Sequence, residues 1–66
     1  MAEKLFGVDI MLLDDQARPP QAAIDAGMLQ IERRLASLGL KETHRYEHER
    51  TLRGQRTFSI EVFADG

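Results

Sequence analysis

The sequence predicts an α+β domain of order β–α–β–β, with a three-stranded sheet in the order 1-3-2 and one helix packed on one face. Three observations predict it. Phe6, Val8, Ile10 and Leu12 alternate with residues of the other parity, which is the period of a strand. Ile24, Met28, Ile31, Leu35 and Leu38 recur at steps of four, three, four and three, which is the stripe of an amphipathic helix. Two further alternating segments flank Gly54, which marks a turn between them.

The first strand runs over Leu5–Leu13. Its second face holds Leu5, Met11 and Leu13, interrupted by Gly7 and Asp9, so both faces are partly apolar. Asp14 and Asp15 end it, and Arg18-Pro19-Pro20 opens the next element. Proline has no N–H to leave unbonded, so a helix beginning near Pro19 or Pro20 is natural. The apolar stripe carries that helix to about Leu38, with Ala22, Leu29 and Ala36 beside it and Asp25, Glu32, Arg33 and Ser37 on wetter faces. Gly39 can take a left-handed conformation and Leu40 can fold back on the last turn, together a helix stop.

Residues 41–52 alternate but are polar. Leu40, Glu42, His44, Tyr46, His48, Arg50 and Leu52 share one parity, and the other parity has no apolar member. The first set is therefore expected to face the helix. Phe58, Ile60 and Val62 alternate in the third strand, with Ser59, Glu61 and Phe63 opposite. To put Tyr46, His48 and Leu52 on the same face as Phe58, Ile60 and Val62, the hairpin needs an odd, three-residue loop, because a slip of one residue inverts a strand's faces. The third strand is the most uniformly apolar on its inward parity, so it belongs in the centre, antiparallel to both neighbours.

The chain of 66 residues reads as one domain, 1–66. A fold of this size buries only roughly 60% of the surface its unfolded chain exposes. Small folds compensate with disulfides, a metal or a partner chain. There is no cysteine, which excludes disulfides and thiolate metal sites. A second copy of the chain is the simplest remaining compensation, so a homo-oligomer, a dimer or higher, is expected. The first strand is a long apolar edge, which templates pairing with other chains. Leu5, Met11, Leu13 and Phe63 would form an apolar patch on the uncovered sheet face, the candidate oligomer interface.

The formal net charge is −2, divided as −4 over residues 1–32 and +2 over 33–66. That asymmetry is too mild for a nucleic-acid tail. No apolar run approaches the ~20 residues of a membrane span. Leu5–Leu13 is short and contains Asp9, so it reads as a strand and not a signal peptide, and a cytoplasmic location follows.

Two further groups of residues bear on function. Arg50, Arg53 and Arg56 surround the hairpin tip and form a candidate partner contact. Arginine forks match phosphate oxygens, but Glu47 and Glu49 interrupt the patch and there is no tryptophan for stacking. A protein partner is therefore expected ahead of a nucleic acid. His44, Tyr46 and His48 form a candidate polar pocket. His44 and His48 lie about 13 Å apart along a strand at about 3.3 Å per residue, so one chain cannot chelate a metal with both. Ser37 and Ser59 are the only serines and neither sits in a nucleophile motif. The glycines form no phosphate-cradling loop. No catalytic, cofactor or metal residues are assigned. The function expected is a non-catalytic, self-associating protein-binding module, an accessory or inhibitory protein on a larger complex. A nucleic-acid-binding regulator using the hairpin tip is the alternative. A small-molecule carrier or enzyme with a site between subunits is a further one.

Overall fold

The computed structural model describes residues 3–66. Its elements are β1 (Lys4–Met11), α1 (Gln21–Leu38), β2 (Lys41–Leu52) and β3 (Gln55–Asp65). The sheet order is β1-β3-β2, and β3 pairs antiparallel with both neighbours. The expected βαββ architecture is the one observed, with β3 in the centre.

The core explains that order. Ile60 and Val62 of β3 have no exposure at all, and Phe58 and Ala64 on the same parity are also buried. A central strand is covered by a neighbour on each side, so it carries the residues that must be driest. α1 lays Ile24, Met28, Ile31 and Leu35 on this face, and Leu12 completes the core. Phe6, Val8 and Ile10 of β1 pack against it and stay half-buried.

α1 starts directly after Pro20, which caps it without a side-chain hydrogen bond. It ends at Gly39 in the left-handed region (φ 69°, ψ 27°). The Gly39 N–H donates to the Ala36 carbonyl at 3.2 Å and the Leu40 N–H to the Leu35 carbonyl at 2.9 Å. This is the Schellman arrangement that glycine followed by a hydrophobe implies. Leu40 returns to the core, while Leu38, placed on the stripe by spacing, is exposed.

The hairpin corrects one expectation. Leu52 pairs with Gln55, so the loop is the two residues Arg53 and Gly54, not three. Glu47 stands opposite Ile60 and Glu49 opposite Phe58, while Tyr46 pairs with Glu61 and His48 with Ser59. Glu47, Glu49 and Arg45 therefore share the helix side, and Tyr46, His48 and Arg50 lie on the open face. The turn itself decides this. Arg53 and Gly54 both have positive φ, 52° and 78°, as a type I′ turn requires, and that turn matches the twist of the flanking strands. Burial does not oppose it, because every residue of β2 is exposed on either face.

The helix side of β2 tolerates charge because α1 touches β2 only sparsely and leaves its residues exposed, with Arg18 of the β1–α1 connection beside them. Arg18 sits 5.2 Å from the centre of the Phe58 ring and 3.6 Å from Glu47. Near the Glu42 and His44 positions β2 shifts register, which sets Thr43 to donate to the Phe63 carbonyl at 3.1 Å.

Candidate functional site

Among the described residues no element lies over the sheet face turned away from α1. Pairing places its residues in rows across β1, β3 and β2. Leu5, Phe63 and His44 form one row, Gly7, Glu61 and Tyr46 the next, then Asp9, Ser59 and His48, and finally Met11, Thr57 and Arg50. Strand alternation, with β3 fixed inward by its apolar parity, is what positions each of them.

The first rows make an aromatic cluster. His44 stacks on Phe63 with centroids 4.6 Å apart, and Tyr46 meets both edge-on at 5.4 and 5.8 Å. Leu5 is beside it on β1 and exposed. Thr43, which also bonds Glu3, fixes the end of β2 beside His44.

The third row is a polar network joining all three strands. The Ser59 hydroxyl donates to Asp9 Oδ1 at 2.7 Å, Arg50 Nε donates to the Ser59 hydroxyl at 3.0 Å, and Arg50 Nη2 reaches Asp9 at 3.5 Å. The Arg50 side chain lies across Ser59, which is only 1% exposed on a face with no second layer. His48 Nε2 meets Glu61 Oε1 at 2.6 Å. Every buried side-chain polar atom among the described residues has a hydrogen-bond partner.

The candidate residues from the sequence are thus distributed as follows. Leu5, Met11 and Phe63 do share the open face, with Met11 70% exposed. Leu13 lies beyond the end of β1, in the connection to α1, and is exposed. His44, Tyr46 and His48 share the open face too, but on an exposed surface and not in a pocket. His44 and Tyr46 belong to the aromatic cluster, and His48 to the ion pair with Glu61.

The three arginines do not form a unit. Arg50 lies on the open face. Arg56 lies on the helix side, where it holds the connection to α1: it donates to the carbonyls of Leu13 at 3.3 Å, Asp14 at 3.0 Å and Gln16 at 2.7 Å. It also makes a forked pair with Glu49 at 2.9 and 3.1 Å. That hydrogen bond lowers the Glu49 carboxyl below its ordinary value and raises Arg56 further. Arg53 alone stays at the tip.

One cleft was not foreseen. It lies at the free edge of β1, under α1, is lined by Phe6, Gly7, Val8, Gln30, Ile31 and Arg34, and has a volume of about 180 Å³. The signal for it was present in the helix, where Gln30 and Arg34 are one turn apart beside the Ile31 stripe.

Among the described residues no group of three or more His, Asp or Glu side chains could hold a metal ion. Among them, too, no helix is long and apolar enough to cross a membrane. No known protein family, curated protein or solved structure matches the chain, so its two unpartnered surfaces, the open face and the β1 edge, carry the functional argument.

Proposed function

We propose that this chain is a non-catalytic, self-associating protein-binding module, an accessory or inhibitory protein that acts on a larger complex in the cytoplasm. The observation that carries the reading is the half-covered sheet. Leu5, Met11 and the His44–Tyr46–Phe63 cluster lie on the face of a three-stranded sheet opposite α1, with no described element over them. Stable folds bury a sheet on both faces or leave the second face polar. Exposed apolar and aromatic side chains at the two ends of this face, with the polar Asp9–Ser59–Arg50 network between them, support an interaction surface there.

The arginine geometry favours protein over nucleic acid. Arg50 and Arg56 are engaged by Asp9, Ser59, Glu49 and loop carbonyls, which leaves Arg53 to meet a phosphate. One arginine supplies little of the counterion-release energy on which nucleic-acid affinity rests. The Ser59 hydroxyl donates to Asp9 and accepts from Arg50, which supports a structural role for this serine and not a nucleophile.

Self-association makes thermal stability depend on concentration, because each copy acts as a ligand for the folded state of the other. The melting temperature should rise across a hundredfold increase in protein concentration. Met11→Lys should abolish the rise while leaving the fold intact, since Met11 is exposed in the single chain. A melting temperature independent of concentration contradicts the reading.

A further inference from the structure

We propose that two copies join through their β1 edges in one register, antiparallel and centred on Val8, to make a continuous six-stranded sheet. The proposal rests on the self-association reading and gives it an address.

The backbone of β1 defines what the edge offers. The Leu12 N–H donates to the Arg56 carbonyl at 3.0 Å, and Leu12 with Arg56 continues the β1–β3 register. Backbone groups in an antiparallel strand point alternately to one neighbour and the other. Phe6, Val8 and Ile10 therefore direct theirs to β3. Leu5, Gly7, Asp9 and Met11 direct theirs to the edge that no strand among the described residues pairs with.

A second β1 can pair only where outward residues meet outward residues, and side chains discriminate among those registers. Centring on Asp9 sets the two Asp9 carboxylates opposite each other. Centring on Gly7 sets Leu5 against Asp9. Centring on Val8 sets Leu5 against Met11, Phe6 against Ile10, Val8 against Val8 and Gly7 against Asp9. Every large apolar residue from Leu5 to Met11 then meets an apolar partner, the carboxylate meets a glycine, and Lys4 falls beside Leu12 at the end of the seam. Cross-strand pairs of these kinds stabilise a sheet, and like charges directly opposite destabilise it.

The other edge is unsuited to the task. β2 carries Lys41, Glu42, Arg45, Glu47, Glu49 and Arg50, the charged blunting that natural edges use against pairing. The cleft beside β1 fits the same occupant. Its apolar wall is the buried Ile31 with the half-buried Phe6 and Val8, and the partner's Ile10 and Val8 would close it from the seam. Asp9 is already bonded to Ser59 and Arg50, so its charge is compensated within its own chain when the seam forms.

The chain has no cysteine, so single cysteines report the register cleanly. In this register Val8 faces its own copy as a non-hydrogen-bonded pair with Cα atoms about 4.5 Å apart, within the span a disulfide bridges. Gly7 and Asp9 would be offset from their own copies by two residues, roughly 8 Å or more, which is beyond it. Val8→Cys should give a covalent dimer on mild oxidation, while Gly7→Cys and Asp9→Cys should not. Replacing Gly7 by N-methylglycine in a synthetic chain removes one outward N–H and no bond to β3. It should weaken dimerisation tenfold or more with an unchanged circular dichroism spectrum. A dimer that cross-links through Gly7→Cys or Asp9→Cys, or not at all, or that ignores the N-methyl group, overturns the seam but leaves self-association standing. A monomer at all concentrations overturns both.

Discussion

A Cβ atom added to Gly27 would lie 3.1 Å from a methyl carbon of Val8, which makes this glycine the point where α1 comes down onto β1. The contact is closer than side chains ordinarily make, and Gly27 is buried in the helix interior. Alanine there would gain about 1 kcal/mol of helix propensity. The same Cβ must push a methyl group on a half-buried edge strand, which can yield by a few tenths of an ångström. Gly27→Ala should therefore shift stability by less than about 1 kcal/mol in either direction. Gly27→Leu has no such room and should cost about 1–3 kcal/mol, the usual penalty of overpacking. Adding Val8→Ala should recover part of that loss. Denaturant titration of the two single variants and the double variant measures the coupling; an additive pair would place the helix elsewhere.

Gly39 should not accept a β-branched residue. Its φ of 69° is left-handed and a Cβ there would touch nothing, so the penalty is purely conformational. Gly39→Val should destabilise by about 1–2 kcal/mol, and Gly39→Asn by less, since asparagine visits this region. Equal melting temperatures for all three proteins would show that the helix does not end in this way.

The hairpin turn is improvable. Arg53 adopts φ 52° in a position where asparagine followed by glycine is preferred. Arg53→Asn should raise stability, by several tenths of a kcal/mol to about 1, and Arg53→Val should lower it. Opposite signs would favour a longer loop and a different β2 register.

That register shows where the sequence stops being legible and why. The order of elements, the central place of β3, the helix stop at Gly39 and the apolar β1 edge follow from periodicity and from one glycine. The faces of β2 do not. Burial selects a register only where one face is buried, and α1 meets β2 too sparsely to bury either face, so His48 and Glu49 are both exposed. The choice passed to the local twist of Arg53-Gly54. The arginines failed for a related reason. Arg50, Arg53 and Arg56 are close along the chain, but a strand sends alternate residues to opposite faces, and the two-residue turn separates Arg50 from Arg56 across the sheet. Leu5, Met11 and Phe63 were legible as a set because β1 and β3 each have a face fixed by the core.

Arg56 should matter more to stability than Arg53. It ties the carbonyls of Leu13, Asp14 and Gln16 to the sheet, whereas Arg53 has no partner of that kind among the described residues. Arg56→Gln should lower the melting temperature distinctly more than Arg53→Gln, and should speed amide exchange in residues 13–18.

The same pair sets a modest acid dependence. The Arg56 hydrogen bond, with its charge, holds the Glu49 carboxyl below its unfolded value. The unfolded chain therefore takes up the proton first as the pH falls. The stability that Glu49 contributes is complete above the ordinary carboxylate range and is lost as the pH drops through the depressed folded value. Glu49→Gln should lower the melting temperature at neutral pH and flatten its decline below about pH 4.5. Both groups are solvent-exposed, so added salt should shrink the difference. A variant with the same acid profile as the parent would show that the forked pair contributes nothing in solution.

Sedimentation equilibrium of the unmodified chain measures self-association itself. One chain weighs 7.5 kDa. Across the micromolar range the weight-average mass should rise with concentration to at least twice that of one chain, and Met11→Lys should hold it near the single-chain value. A single species of one-chain mass at high micromolar concentration, with full cooperative unfolding, would contradict the account.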